Sequence, residues 1–138
     1  MGNSKTRQVN ERFFEAYKEF DDMLSMLYGV EKDGVGHYID KMKEAVTEVK
    51  EAIPEWEATF LRLNRIRSRY LSLKSNAGFD DFQGKDEDIV WIQVFCERLD
   101  AEADPLSKYA KMSFTYKERK KSLWQRILEA VKKAPSGK

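Results

Sequence analysis

Residues 9–28 read VNERFFEAYKEFDDMLSMLY, and their spacing decides the fold class. Phe13, Tyr17, Phe20, Leu24 and Leu27 recur at intervals of four, three, four and three. That period puts them on one side of a helix, with Phe14, Met23 and Tyr28 widening the stripe. Gly29 follows the last apolar pair and suits a helix C-terminus. The same alternation returns three more times. It predicts a second helix through Ile39, Met42, Val46, Val49 and Ile53. A third runs from about Glu55 to Lys74, with Trp56, Phe60, Leu63, Ile66 or Arg67, Tyr70 and Leu73. A fourth carries Ile89, Ile92, Phe95, Cys96 and Leu99.

Breakers set the boundaries between these segments. GVEKDGVG, residues 29–36, holds three glycines and reads as a loop. Pro54 separates the second helix from the third, since proline is tolerated only in a helix's first turn. SNAGFDDFQGKDED is polar and reads as a second loop, with Asp86 the expected N-cap of the fourth helix and Glu87 and Asp88 suiting its dipole. That helix should stop near Ala103, because the residue before Pro105 is pushed out of helical geometry. Pro105 can open a further helix through Leu106, Tyr109 and Met112. A last periodic stretch, SLWQRILEAVKK, places Leu123, Trp124, Ile127, Leu128 and Val131 on one face. The expected architecture is all-α: a bundle of four long helices plus one or two C-terminal helices. A bundle over residues 1–106 and a basic helical extension over 107–138 are the expected units.

Composition narrows the function classes. The 138 residues are 41% hydrophobic and 36% charged, a balance that suits one globular domain with a core of its own. A single cysteine, Cys96, forms no internal disulfide, so a reducing cytoplasm is the expected setting. Its place on an apolar stripe marks it as an inert thiol. No apolar run reaches the length of a membrane span. The first residues, MGNSKT, fit only the loose myristoylation pattern. One Cys and one His do not make an ordinary zinc site. No phosphate-binding glycine loop or nucleophile elbow is present, and no cofactor is expected.

Charge is unevenly spread. Residues 107–138 contain ten Lys/Arg against two acidic residues, a net charge of +8, which leaves −7 on the other 106 residues. Such a basic quarter either docks on an acidic body or reaches an anionic partner. Lys117, Arg119, Lys120, Lys121 and Arg126 lie near Tyr116 and Trp124, the pairing of cations and aromatics expected where phosphates and bases are contacted.

The chemistry of greatest interest lies in residues 65–73, RIRSRYLSL. Together with GVGHYIDKM before it and DEDIVWIQVFCERL and DPLSKYA after it, this string resembles a family of small bacterial proteins with a HEPN-like helical fold. The resemblance spans about Phe13 to Ala110 and leaves out the basic tail. It implies an Arg-Asn-x-x-x-His motif on the central helix and, in active members, metal-independent RNA cleavage at a dimer interface. The 2′-hydroxyl is then the nucleophile, and histidine and arginine converge on the phosphate. Residues four or five apart share a helical face, which explains the spacing.

Matched position by position, Arg67 stands at the arginine, Ser68 at the asparagine and Ser72 at the histidine. Serine has no group that titrates near neutrality and does not replace imidazole. The one histidine, His37, falls about thirty positions earlier. The expectation is a non-catalytic HEPN-like binding module in a bacterial regulatory or defence system, a homodimer that takes RNA, another anionic ligand or a protein partner. Arg62, Arg65, Arg67 and Arg69 would then form a binding patch with the basic tail, or else pair with carboxylates of the acidic body. An active ribonuclease toxin with an atypical site and a purely structural interaction subunit are the alternatives.

Overall fold

The computed structural model describes residues 2–76 and 85–113. Five helices are α1 (Gly2–Tyr28), α2 (Gly34–Lys43), α3 (Thr47–Lys50), α4 (Trp56–Asn76) and α5 (Asp86–Asp100). A further helical stretch covers 105–113. No strand occurs among the described residues, and the fold is all-α. The final periodic stretch, residues 122–133, lies outside them.

The first helix is the spine, packing on α2, α4 and α5, while α2 also packs on α4. Phe13, Tyr17, Phe20 and Leu24 of α1 are at most 1% exposed and meet Leu63 and Ile66 of α4, Ile92 and Phe95 of α5, and Tyr38 of α2 in one core. Each such side chain contributes about 1.5–3 kcal/mol by leaving water. Rings set the internal geometry: Phe20 meets Phe95 edge-on at 5.5 Å, and Tyr38 meets the same ring at 5.5 Å. Ile66, fully buried, takes the stripe position that the sequence shares between it and Arg67.

Three helix boundaries depart from the periodic reading. The segment 29–36 is only half a loop, because α2 begins at Gly34. Gly34 is required there by close approach: a Cβ on it would stand 2.5 Å from the Asp21 carbonyl of α1. The second predicted helix is two helices, broken where Val46 turns to extended backbone (φ −70°, ψ 131°). The amide freed by that turn donates to the Tyr109 hydroxyl at 2.9 Å, so a tertiary contact sustains the break. Val46 itself is consequently exposed rather than core. Finally, Lys85 and not Asp86 is the N-cap of α5, with no side-chain cap bond. Asp86, Glu87 and Asp88 fill its first turn.

Two helix ends share one motif. At the end of α1 the Val30 amide donates to the Ser25 carbonyl (2.9 Å) and the Gly29 amide to Met26 (3.3 Å), with Gly29 left-handed at φ 66°. At the end of α5 the Ala103 amide reaches the Arg98 carbonyl (2.8 Å) and the Glu102 amide reaches Leu99 (3.1 Å). Here the left-handed position belongs to Glu102, at φ 54°. Both are Schellman caps, the second without the glycine that usually fills it.

The stretch 105–113 is pinned to the bundle by polar groups. Asp104, fully buried, accepts from Ser107 Oγ at 2.5 Å and from the Tyr38 hydroxyl at 2.5 Å, and that hydroxyl accepts the Leu106 amide at 3.0 Å. Pro105 follows this cap as the first helical residue, as its fixed φ favours. Lys108 pairs with Glu55 just ahead of α4.

Candidate functional site

The arginines of α4 do not form one patch. Seven residues apart, Arg62 and Arg69 share a side of the helix, whereas Arg67 is turned about 200° from Arg69 at roughly 100° per residue. Arg62 donates to Asp88 Oδ1 at 2.8 Å and Arg69 to Oδ2 of the same carboxylate. The Asp88 side chain is completely buried, and the Arg62 guanidinium also lies 5.8 Å from the Trp91 ring centre. These two cations are therefore spent on one interior anion. Arg65 is exposed and makes no ion pair among the described residues.

Arg67 points to the start of α2. Its Nε and Nη2 donate to the two carboxylate oxygens of Asp33 at 3.1 and 2.6 Å. Asp33 in turn caps α2, accepting the Gly36 amide at 3.1 Å from a left-handed backbone (φ 55°). The Arg67 hydrogen bond, against a smaller effect of burial, holds the Asp33 carboxyl below its ordinary range. Asp21 of α1 also serves this helix end, accepting the Val35 amide at 2.9 Å, and burial pushes its carboxyl up despite that bond. One arginine and two carboxylates thus tie α4, α1 and α2 together.

A cleft of about 240 Å³ lies beside this junction, lined by Tyr17, Asp33, Arg67 and Tyr70, with Lys32 and Lys74 also facing it. Tyr17 and Tyr70 stack at 4.2 Å with their planes 17° apart. Burial raises both hydroxyls above the ordinary phenol range, further from neutrality. Ser68 is exposed and Ser72 half-buried on the same helix. His37 packs on Tyr28 at 5.3 Å, and among the described residues no hydrogen bond or ion pair joins it to Arg67 or Ser72. Phenols and serines do not supply the proton transfer that an imidazole near pH 7 performs. The cleft has the cation and aromatic surfaces to hold an anion, once Arg67 is released from Asp33.

A second concavity, of about 590 Å³, lies between the C-terminal halves of α1 and α5. Met23, Met26, Leu27 and Leu99 give it an apolar lining, and Glu19, Asp22 and Asp100 supply three carboxylates. Met26 is 84% exposed and Leu27 59%. Leu27 therefore leaves the core stripe assigned to it by spacing: α1 ends at Tyr28 and α5 at Asp100, and the described residues leave Met26 and Leu27 uncovered on this side of the last turn. Periodicity marks a face as apolar without saying whether the protein covers it, and this groove was invisible for that reason. The one signal was two methionines at Met23 and Met26 beside an acidic pair.

The remaining candidates sort simply. Lys117, Arg119, Lys120, Lys121 and Arg126 lie outside the described residues. Cys96 is half-buried, and burial, with Asp100 and Glu19 nearby, pushes its thiol up and away from the reactive thiolate. Among the described residues no three His, Cys, Asp or Glu side chains converge to hold a metal ion. No helix there is long and apolar enough to cross a membrane.

Fold and surface together describe an all-α chain with a tied-down arginine junction and an open apolar groove edged by acid. The chain belongs to a family of unknown function, DUF6548, which it matches over residues 11–134. No curated protein and no solved structure matches it.

Proposed function

We propose that the chain is a non-catalytic helical binding module, and that its docking face is the α1/α5 groove. Its partner is an amphipathic protein helix whose polar side is basic. The observation that carries this reading is Met26, 84% exposed and lining an apolar groove edged by three carboxylates. Methionine adapts its unbranched side chain to varied apolar surfaces. A helix laid in a groove buries its apolar face there, while Lys or Arg on its flanks meet Glu19, Asp22 and Asp100. The HEPN-like resemblance supports the non-catalytic part, since Ser72 stands where a histidine would act. RNA is the weaker ligand: the groove is edged by carboxylates, and on α4 Arg62 and Arg69 are engaged by Asp88 and Arg67 by Asp33.

Methionine-methyl NMR tests the proposal. A synthetic Leu/Lys amphipathic peptide should shift the Met23 and Met26 signals and leave Met42, which is 1% exposed, unmoved. The same peptide with Glu for Lys should do nothing. Equal response to both peptides, or to neither, overturns the reading.

A further inference from the structure

We propose that the cleft beside the Arg67–Asp33 pair binds inorganic phosphate, taken as the hydrogen phosphate ion. It shares no lining residue with the α1/α5 groove, so the two sites stand or fall separately. Three observations carry the assignment.

The first is an unspent donor. Tyr17 is 1% exposed, yet its hydroxyl has no hydrogen-bond partner among the described residues. The charged groups nearest to it are Asp21, Arg67 and Asp33, all of them cleft residues, so the hydroxyl faces the cleft. A phenol this deep in a protein ordinarily donates to something.

The second is unspent charge. Lys32 and Lys74 line the cleft, and neither makes an ion pair among the described residues. Arg67 adds a fork that matches phosphate as well as carboxylate. In its pair with Asp33 the two side chains are 34% and 47% exposed, and ion pairs so open to water hold weakly. A doubly charged anion flanked by two lysines therefore takes the guanidinium over from Asp33.

The third is a carboxylate where an ordinary anion site has none. Asp21 spends Oδ1 on the Val35 amide and leaves Oδ2 without a hydrogen bond among the described residues. An ionised carboxylate only accepts, so it repels sulfate or a proton-free phosphate ester. Hydrogen phosphate keeps one P–O–H, which donates to Oδ2 while its other oxygens accept from Lys32, Lys74, Tyr17 and Arg67. Size agrees: about 240 Å³ falls below the roughly 300–1,000 Å³ of pockets that take drug-sized ligands, which leaves nucleotides out.

Titration calorimetry on the full-length protein at neutral pH, in buffer free of phosphate and sulfate, tests the site. Inorganic phosphate should bind saturably. Sulfate should bind at least about tenfold more weakly, as should methyl phosphate, whose second pKa of about 6 leaves it mostly without a proton. Tyr17→Phe should weaken phosphate binding by about the same factor without lowering the urea midpoint, because the lost hydroxyl has no partner in the protein. Asp21→Asn keeps an oxygen for the Val35 amide but turns an amide N–H into the cleft, so sulfate should then bind as well as phosphate. Asp33→Asn suits the left-handed cap and frees Arg67, so it should tighten phosphate binding. No saturable phosphate binding, equal binding of sulfate by the parent, or an Asp21→Asn variant that still prefers phosphate overturns the proposal. Should Asp21→Asn fail to fold, the parent's preference for phosphate over sulfate and the Tyr17→Phe result decide it.

Discussion

Asp88 and Arg62 meet at 2.8 Å inside the bundle, with the Asp88 side chain wholly buried and Arg69 closing on its other oxygen. A buried carboxylate is tolerated only while its charge is matched, and removing one member of such a pair costs about 3–5 kcal/mol. Asp88→Ala leaves two arginines facing an apolar void, but both keep part of their surface in water. The expected loss is therefore at the lower end, about 3 kcal/mol, read from the urea midpoint. An unchanged midpoint would refute the role given to this pair.

Arg67 and Asp33 form a more exposed pair, so solvent screens it, and Arg67→Ala should cost only about 1 kcal/mol. Its mark is on pH dependence. Asp33 has its folded carboxyl pKa depressed by Arg67, so the pair's contribution is present above the unfolded carboxylate value and fades as pH falls through the folded one. Asp21, pushed up by burial, acts in the opposite sense: its ionisation opposes folding, and acid relieves that cost. In Arg67→Ala the acid-side loss of stability should shrink, measured by urea melts from pH 7 down to pH 3.

Ser72 sets up a test of catalysis. With no imidazole at that position and His37 packed on Tyr28, the purified protein should leave labelled RNA intact in the presence of a chelator. Cleavage that disappears in Arg67→Ala would reinstate the ribonuclease reading, because contaminating nucleases are indifferent to that substitution.

Much of this fold is legible in the sequence because a 3.6-residue period survives wherever one helix face is buried. Phe13, Tyr17, Phe20, Leu63, Ile92 and Phe95 are core by spacing and core in space. What the pattern misses lies at positions where tertiary contacts override it. Val46 keeps the period, yet the Tyr109 hydroxyl takes its amide and the helix breaks. Leu27 keeps the period too, but the neighbouring helix ends too soon to cover it. The arginines of RIRSRYLSL are recognisable as a cluster in sequence, while their partners Asp33 and Asp88 are 34 and 19 or 26 positions away and follow only from the packing of α2 and α5 on the bundle.

Glu102 sits left-handed at φ 54° in the cap of α5, where a side chain crowds its own backbone. Glycine adopts that conformation without penalty. Glu102→Gly should accordingly stabilise the protein by up to about 1 kcal/mol, less the entropy that glycine adds to the unfolded chain. Thermal melts would register a rise of a few degrees; a fall would mean that the Glu102 side chain makes a compensating contact.

Gly34 is the opposite case, where a small residue is needed for space. Alanine is the better helix former by about 1 kcal/mol, so on propensity alone Gly34→Ala should stabilise α2. The added methyl would meet the backbone of α1 at Asp21, 2.5 Å from its carbonyl oxygen, and neither backbone is a flexible side chain that can turn aside. Relief requires α2 to move away from α1, which stretches the Asp21 bond to Val35 and the packing of Tyr38 beneath it. Overpacking of this kind costs about 1–3 kcal/mol and outweighs the propensity gain. Gly34→Ala should therefore lower the urea midpoint, and the Val35 amide should exchange its hydrogen faster than in the parent. A stabilised variant with Val35 still protected would show that the α1/α2 contact is looser than its geometry.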